Sequence, residues 1–147
     1  MDRPLTARGF SLIEAVLALA MLSALMYLAS FSLFGLADKY RLETAAWNIR
    51  AALSAARAKA VFDGVSYRVR FRPDHVLLDR FIEEEGTWHA VSSTWIEGAG
   101  IEANNSPVFT PEGTVTNLAT VKVTNDWGGY KLTLAITGRI KTVRLPA

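Results

Sequence analysis

The sequence predicts an α+β protein in which a long N-terminal helix precedes a set of antiparallel strands. Apolar residues follow helical spacing from residue 10 to residue 62 with no proline between them, and strict alternation replaces that spacing after Gly64. Clusters of Pro, Gly, Asn and Asp then separate short runs of the kind that form strands. The length of 147 residues fits one such helix and one small head domain, residues 64–147.

The first half of the predicted helix is apolar enough to span a membrane. Residues 15–37 contain no charged side chain. As a helix they would extend about 35 Å, which exceeds the roughly 30 Å hydrocarbon core of a bilayer. Basic residues precede the run, so the chain after it is predicted to lie across the membrane from the N-terminus. The alternative is a signal peptide cleaved after residues 35–37, although the apolar part of such a peptide is usually about 7–15 residues long.

The second half of the helix, residues 38–63, is predicted to be amphipathic. Its apolar residues recur at steps of three and four, which places them in one stripe along a helix. Asp63 and Gly64 form the predicted end, because glycine adopts the left-handed conformation that ends helices without steric strain. The stripe consists of Leu42, Ala46, Ile49, Leu53, Ala56 and Ala60, with Arg50, Arg57 and Lys59 opposite to it.

The head is predicted to contain six strands. The first, residues 65–72, alternates apolar residues with Arg68, Arg70 and Arg72, as expected for a half-buried strand. Turn residues separate the later runs and favour hairpins. The other predicted strands are residues 76–82, 87–93, 120–124, 130–136 and 139–145, and residues 97–116 are predicted to form a long loop.

Composition excludes several classes of site. The chain has no cysteine, so disulfides and cysteine-based metal or redox centres are excluded. His75 and His89 lack the spacing of metal ligands, and the sequence contains neither a nucleophile motif nor a phosphate-binding glycine loop. We therefore expect no enzyme, no cofactor and no metal site. The three glutamates at residues 83–85 are typical of a solvated turn, with cation binding as the alternative.

The net charge of +2 hides an uneven distribution along the chain. Residues 38–80 carry nine basic and five acidic residues. Residues 81–126 carry one basic and seven acidic residues, and residues 127–147 carry four basic residues and no acidic one. Such alternation predicts surfaces that meet oppositely charged neighbours, either within the fold or between subunits.

One acidic residue stands at the start of the apolar run. Glu14 immediately precedes residues 15–37, and an isolated carboxylate inside a bilayer costs about 2.5 kcal/mol or more. The order RGFSLIE at residues 8–14, followed by an apolar helix, closely resembles the class III signal of type IV pilins and type II secretion pseudopilins.

That resemblance implies how the N-terminus is processed and used. A prepilin peptidase would remove the leader, residues 1–9, by cleavage between Gly9 and Phe10 on the cytosolic side, and the new amine of Phe10 would be N-methylated. Residues 10–37 would remain on the mature chain, in contact with membrane lipid and later in the filament core. Glu14 would act in assembly by pairing with the terminal amine of a neighbouring subunit, because a carboxylate in lipid is less costly beside a cation.

Two longer segments resemble the GspH/FimT group of minor pilins and pseudopilins. Residues 48–71 lead from a helix with a small-residue stripe through Gly64 into a strand, and residues 109–141 contain a late strand that ends in Gly138 and Arg139. The resemblance implies a pilin-like fold, in which an antiparallel β-sandwich head packs on the second half of the helix. The lack of a cysteine pair, and of a proline in the membrane run, favours a minor subunit or pseudopilin over a major pilin.

The same resemblance implies a location, partners and a first function. The protein would be a single-pass protein of the bacterial inner membrane, with its head in the periplasm, that later enters a filament. Its partners would be other pilin or pseudopilin subunits, the prepilin peptidase and an inner-membrane assembly platform. The expected function is a minor pilin or pseudopilin near the tip of a type IV pilus or type II secretion pseudopilus, aiding assembly or protein secretion. The sequence does not distinguish the two systems.

DNA binding for natural transformation is the alternative function. GRIK at residues 138–141 resembles the G-R-x-R motif of FimT-like pilins that bind DNA, with Lys141 in place of the second arginine. On a regular strand, Arg139 and Lys141 would project from the same face, where two cations can contact a phosphate backbone.

A second cationic row has two possible partners. Arg68, Arg70 and Arg72 lie on one face of the first predicted strand. They would either extend a DNA-binding patch or form cross-strand pairs with the glutamates at residues 83–85, worth roughly 0.2–1 kcal/mol each. The same pairing is the alternative for Arg139 and Lys141.

Overall fold

The computed structural model describes residues 11–146, without the side chains of residues 29–35. The predicted leader and its cleavage and methylation residues, Gly9 and Phe10, lie outside the described residues. Contacts divide the chain into two compact units, one ending at Leu36 and the other beginning at Ala37. Helix α1, Leu12–Asp63, contributes residues to both units.

The first unit presents an apolar helical surface. Every side chain of residues 11–28 is exposed, and eleven of them are large hydrophobic residues. Part of the predicted membrane segment, residues 29–35, lies outside the described side chains. Among the described residues, no helical segment combines the length and the apolar character that a membrane crossing requires.

The part of α1 in the second unit is amphipathic. All six residues of the predicted stripe are buried, none more than 6% exposed, and the three basic residues opposite to it are exposed. The helix ends where predicted, at Asp63, and Gly64 takes a φ of +66°. The hydroxyl of Tyr67 donates a hydrogen bond to the Asp63 carboxylate. Burial, together with this bond, raises the pKa of Tyr67.

Two antiparallel sheets follow the helix. The strands are β1 Tyr67–Phe71, β2 His75–Ile82, β3 Thr87–Trp95, β4 Gly100–Ala103, β5 Val108–Phe109, β6 Val115–Thr116, β7 Thr120–Asn125, β8 Gly128–Leu134 and β9 Ile140–Leu145. The first sheet has the order β3-β2-β1-β5-β6 and the second the order β4-β7-β8-β9. All six predicted strands are present, with ends that differ from the predicted ones by no more than two residues.

The prediction of a long loop at residues 97–116 was wrong, because β4, β5 and β6 lie within it. β4 pairs with β7 and places Ile101 opposite Val123, and both residues belong to the core. These three strands have only two to four residues each. A run this short contains too few residues for alternation to be recognised.

One core joins the helix to both sheets. Its cluster of buried residues contains the stripe of α1 except Ala46, the inner residues of β1 and β2, and the inner residues of β7 and β8. Phe109, Ile49 and Leu132 are among its largest fully buried side chains. The predicted α+β class, with the helix packed on antiparallel sheets, is confirmed.

The beginning of the helix in the second unit is tied to the second sheet. Asn125, the last residue of β7, donates from Nδ2 to the carbonyl oxygens of Asp38 at 2.9 Å and Gly98 at 3.2 Å. Gly98 has a φ of +72°, and a Cβ atom there would lie 2.6 Å from Cδ of Arg41. Because Arg41 packs this closely, only glycine fits at residue 98 without displacing the arginine.

A buried carboxylate lies at a bulge in the first sheet. The register of β2 against β3 shifts between Leu78 and Asp79, and Asp79 is fully buried. Arg68 donates to its Oδ2 from Nε at 3.0 Å and Nη2 at 2.9 Å. Arg70 donates from Nε to Oδ2 at 2.6 Å and from Nη2 to Oδ1 at 2.8 Å. Burial would raise the pKa of Asp79, but the hydrogen bonds from Arg70 and Arg68 outweigh it and lower the pKa below its ordinary value.

Replacing Asp79 with Asn is expected to destabilise the second unit by about 1–3 kcal/mol near neutral pH, because two arginines lose a charged partner. Since the folded-state pKa is depressed, the contribution of Asp79 is fully present above the pKa of the unfolded carboxyl, about 3.9. It is lost as the pH falls through the folded-state pKa. Urea unfolding of residues 37–147 at several pH values, followed by tryptophan fluorescence, measures this loss.

The control for that experiment is Asp126→Asn, which removes an exposed acid from the turn between β7 and β8. It is expected to leave the free energy of unfolding nearly unchanged. A stability difference between wild type and Asp79→Asn that stays constant across the acidic range would contradict the role given to this carboxylate.

Candidate functional site

Glu14 lies in the first turn of α1. The amide of Ala15 donates to the carbonyl of Ser11 at 3.1 Å, which is a helical hydrogen bond beside Glu14. A carboxylate in the first turn is stabilised by the positive end of the helix dipole. Its side chain is exposed on the isolated chain, so an approaching cation has access to it.

The cationic row on β1 is largely engaged within the fold. Arg68 and Arg70 bind Asp79, and the guanidinium of Arg68 also lies over the ring of Trp88 at 4.6 Å. Arg72 follows the end of β1 and is exposed. Arg68 and Arg70 therefore form cross-strand pairs, and their partner is Asp79. Among the described residues, no ion pair joins these arginines to the glutamates at residues 83–85, which were the predicted partners.

Arg139 and Lys141 are both exposed, but they do not share one regular strand. β9 begins at Ile140, and Arg139 closes the hairpin before it, with its carbonyl accepting from the amide of Ala135 at 2.9 Å. Lys141 lies opposite Thr133 of β8. Within the described part of the chain, neither cation takes part in an ion pair.

The glycine of the Gly-Arg pair has a packing role that the sequence did not reveal. Gly138 has a φ of +77°, and a Cβ atom there would lie 2.7 Å from Nε of Arg57. Arg57 itself donates from Nε to the carbonyl of Gly113 at 3.0 Å. Arg57 of the helix thus contacts two turns. Because this arginine lies so close to residue 138, a side chain there would clash with it, which explains the glycine.

The outer face of the second sheet carries lysines that sequence analysis did not single out. Lys122 of β7 lies directly opposite Lys131 of β8, and both are exposed. Lys141 lies on the same face, because its partner Thr133 alternates with the buried leucines of β8. We call Lys122, Lys131 and Lys141 the basic face. Glu102 of β4 lies opposite Lys122.

The alternation in these strands was the signal that could have located the basic face. In TVKVT and YKLTL, each lysine is flanked by apolar residues, which assigns it to the polar side of a half-buried strand. That Lys122 lies directly opposite Lys131 could not be known without the register of β7 against β8. Like charges directly opposite each other destabilise a sheet slightly, so an anion that binds between them would relieve this repulsion.

The histidines lie in small polar clusters on the surface. Nδ1 of His75 lies 2.6 Å from Oδ1 of Asp74, and Nε2 of His89 lies 2.8 Å from Oε2 of Glu85. Within residues 11–146, no group of three or more potential metal ligands comes together.

Comparisons with known proteins point to one fold. No protein-family model matches the sequence, and no curated protein matches it either. Among solved structures, the minor pseudopilin EpsH from the type II secretion system of Vibrio cholerae is similar, with a TM-score of 0.61 at 13% identity over 74% of this chain and 97% of that chain.

A second similar structure comes from a type IV pilus. The type IV minor pilin FimU of Pseudomonas aeruginosa gives a TM-score of 0.59 at 18% identity, over 71% of this chain and 90% of that chain. Identities this low establish the fold rather than the function. The protein therefore has the pilin-like α+β fold shared by a minor pseudopilin and a minor pilin, as the resemblance to the GspH/FimT group led us to expect.

Proposed function

We propose that this protein is a minor pilin or a minor pseudopilin, a structural subunit of a type IV pilus or of a type II secretion pseudopilus. The observation that supports this most directly is the apolar surface of residues 11–28, attached to a unit with a pilin-like fold. Eleven exposed large hydrophobic residues are unfavourable in water. Lipid would cover them before assembly, and helices of neighbouring subunits would cover them in the filament.

The proposed location is the bacterial inner membrane, with residues 10–37 as a single anchor and the head in the periplasm. The uncharged run of residues 15–37 supports this, as do Arg3 and Arg8 ahead of it. An assembly platform would then transfer the subunit into the filament, near the tip, where it aids assembly or protein secretion.

The mature chain is expected to begin at Phe10 with a methylated amine, because a prepilin peptidase would remove residues 1–9. Gly9→Leu should block the cleavage, since a bulky residue replaces the glycine at the cut, whereas Thr6→Leu in the same leader should not. N-terminal mass spectrometry of protein from membranes of a host with a prepilin peptidase decides this. A mature start at Asp38 would instead identify a signal peptide and overturn the proposal.

The proposed role of Glu14 is to receive the N-terminal amine of a neighbouring subunit. Its carboxylate is exposed in the first turn of α1 and directly precedes an uncharged run. In lipid, such a group is costly when isolated and much less so beside a cation. Assembly would therefore neutralise two charges that insertion leaves separate.

Glu14→Ala is expected to ease membrane insertion and to impair assembly. Loss of a charged hydrogen bond worth about 1.5–3 kcal/mol should lower incorporation into filaments about tenfold or more. Carbonate extraction measures insertion, and quantification of the subunit in sheared filaments measures assembly. Ser23→Ala is the control, because this hydroxyl lies on the same helix and donates to the carbonyl of Leu19 within it. Wild-type incorporation of Glu14→Ala would reject the role.

DNA binding is a second candidate function, and the basic face favours it. Lys122, Lys131 and Lys141 are exposed on adjacent strands, and Arg139 directly precedes β9. Sequence-independent binding requires contacts to phosphates, which lysine provides as a point charge. The β1 row is a weaker candidate, because Arg68 and Arg70 already share Asp79.

The DNA-binding function predicts that residues 38–147 bind duplex DNA with an affinity that falls steeply with salt. This part of the chain contains the whole core cluster. Arg139→Ala combined with Lys141→Ala should reduce the salt slope by about one unit for each phosphate contact removed. Arg50→Ala, which removes an exposed cation of the helix outside both candidate rows, is the control. Fluorescence anisotropy across a salt series measures the slope, and absence of binding at low salt would leave the filament role as the only candidate.

A further inference from the structure

Exposed aromatic residues gather at the end of the second unit where the chain enters it. Tyr40, Trp95 and Trp127 are 61%, 65% and 43% exposed. Single exposed aromatic residues are common on soluble proteins. Here three of them lie around the first residues of one unit.

Tyr40 and Trp95 line the same cleft, together with Arg41 of the helix and Glu97. The ring of His75 packs against that of Trp95, with 4.9 Å between the ring centroids. This cross-strand contact supports the indole on one side, while most of its surface is exposed.

Trp127 reaches the same end of the unit through Asn125. The side chain of Asn125 donates to the carbonyl of Asp38 and accepts from the backbone amide of Trp127 at 2.9 Å. Hydrogen bonds thus connect the turn that carries Trp127 to the first helical residues of the unit.

Chain connectivity indicates what lies next to these residues. The uncharged run of residues 15–37 ends immediately before Asp38. Tyr40 follows the run by three residues, or about 4.5 Å along a helix, which is within a headgroup layer about 5–7 Å thick. Tyrosine and tryptophan favour this layer, because the ring prefers an apolar setting and the O–H or N–H group a polar one.

The charges around the three rings nearly cancel. The basic residues are Lys39, Arg41 and Arg72, and the acidic residues are Asp38, Asp74, Glu97 and Asp126. This balance gives no preference for anionic lipid, so contact would depend on the rings and would occur on a zwitterionic membrane.

We propose that Tyr40, Trp95 and Trp127 form an aromatic collar that rests in the headgroup layer of the membrane before the subunit is assembled. The inference rests on the membrane anchor proposed above. The collar fixes the height of the head above the bilayer, and its rings leave the lipid when the subunit enters a filament.

The chain contains its own controls for this proposal. Trp88 lies under the guanidinium of Arg68, and the neighbouring Tyr67 bonds to Asp63, at the opposite end of this unit's helix from Tyr40. Trp47 is 69% exposed on the helix, ten residues and therefore about 15 Å beyond residue 37. Both indoles lie beyond the headgroup layer if the collar is in it.

The experiment uses the full chain in phosphatidylcholine vesicles, with and without lipid brominated near the headgroup end of its acyl chains. In four variants, three tryptophans at a time are replaced by Phe, so that Trp47, Trp88, Trp95 or Trp127 is the single emitter. Bromine should cause about a twofold loss of emission from Trp95 and Trp127, because rings in the headgroup layer meet the brominated segment. Emission from Trp88 and Trp47 should stay unchanged.

Co-flotation of the chain with the vesicles separates this inference from the anchor on which it rests. If the chain floats but Trp95 and Trp127 are not quenched, or are quenched no more than Trp88, the collar is wrong and the anchor stands. Such a result would assign the exposed rings to a contact with another subunit. If the chain does not float, both the anchor and the collar are wrong.

Discussion

The packing of one helical stripe against both sheets is the constraint on which the second unit depends. Each sheet buries its inner face in a core to which the helix contributes its stripe. The stripe contains three alanines among its six residues, so the helix backbone can approach the strands closely. A larger side chain at Ala56 or Ala60, both fully buried, would overpack this core and push the helix away from the strands.

The elements that were predicted correctly are those whose periodicity is long enough to recognise. The helix has more than ten turns, and each strand that alternation revealed contains at least five residues. β5 and β6 have two residues each, and their pairing depends on contacts with β1 that no local pattern encodes.

The same limit applies to the site, because a residue's partner depends on strand register. Asp79 appeared in the sequence as one acid in an apolar strand, and its two arginine partners became clear only from the fold.

The distribution of charge has different consequences in the two sheets. On the first sheet, Arg68 and Arg70 are held by one buried carboxylate, so their charges mainly stabilise the fold. On the second sheet, Lys122 and Lys131 face each other on the surface and remain open to an external anion. A salt-dependent function is therefore better sought on the second sheet, whereas acid sensitivity of folding should come from the first.

The ties between Asn125, Asp38 and Gly98 give the second unit a mechanical property. In a filament under tension, a pulling force on the helix would reach the head first at residue 38, where these hydrogen bonds join the helix to the end of β7. Arg57, near the end of the helix within this unit, contacts the turns of Gly113 and Gly138. The load would therefore be shared between these two attachments and the buried stripe between them, so that peeling the head from the helix requires all three to break. Resistance to pulling depends on the rate of such rupture rather than on the free energy of unfolding.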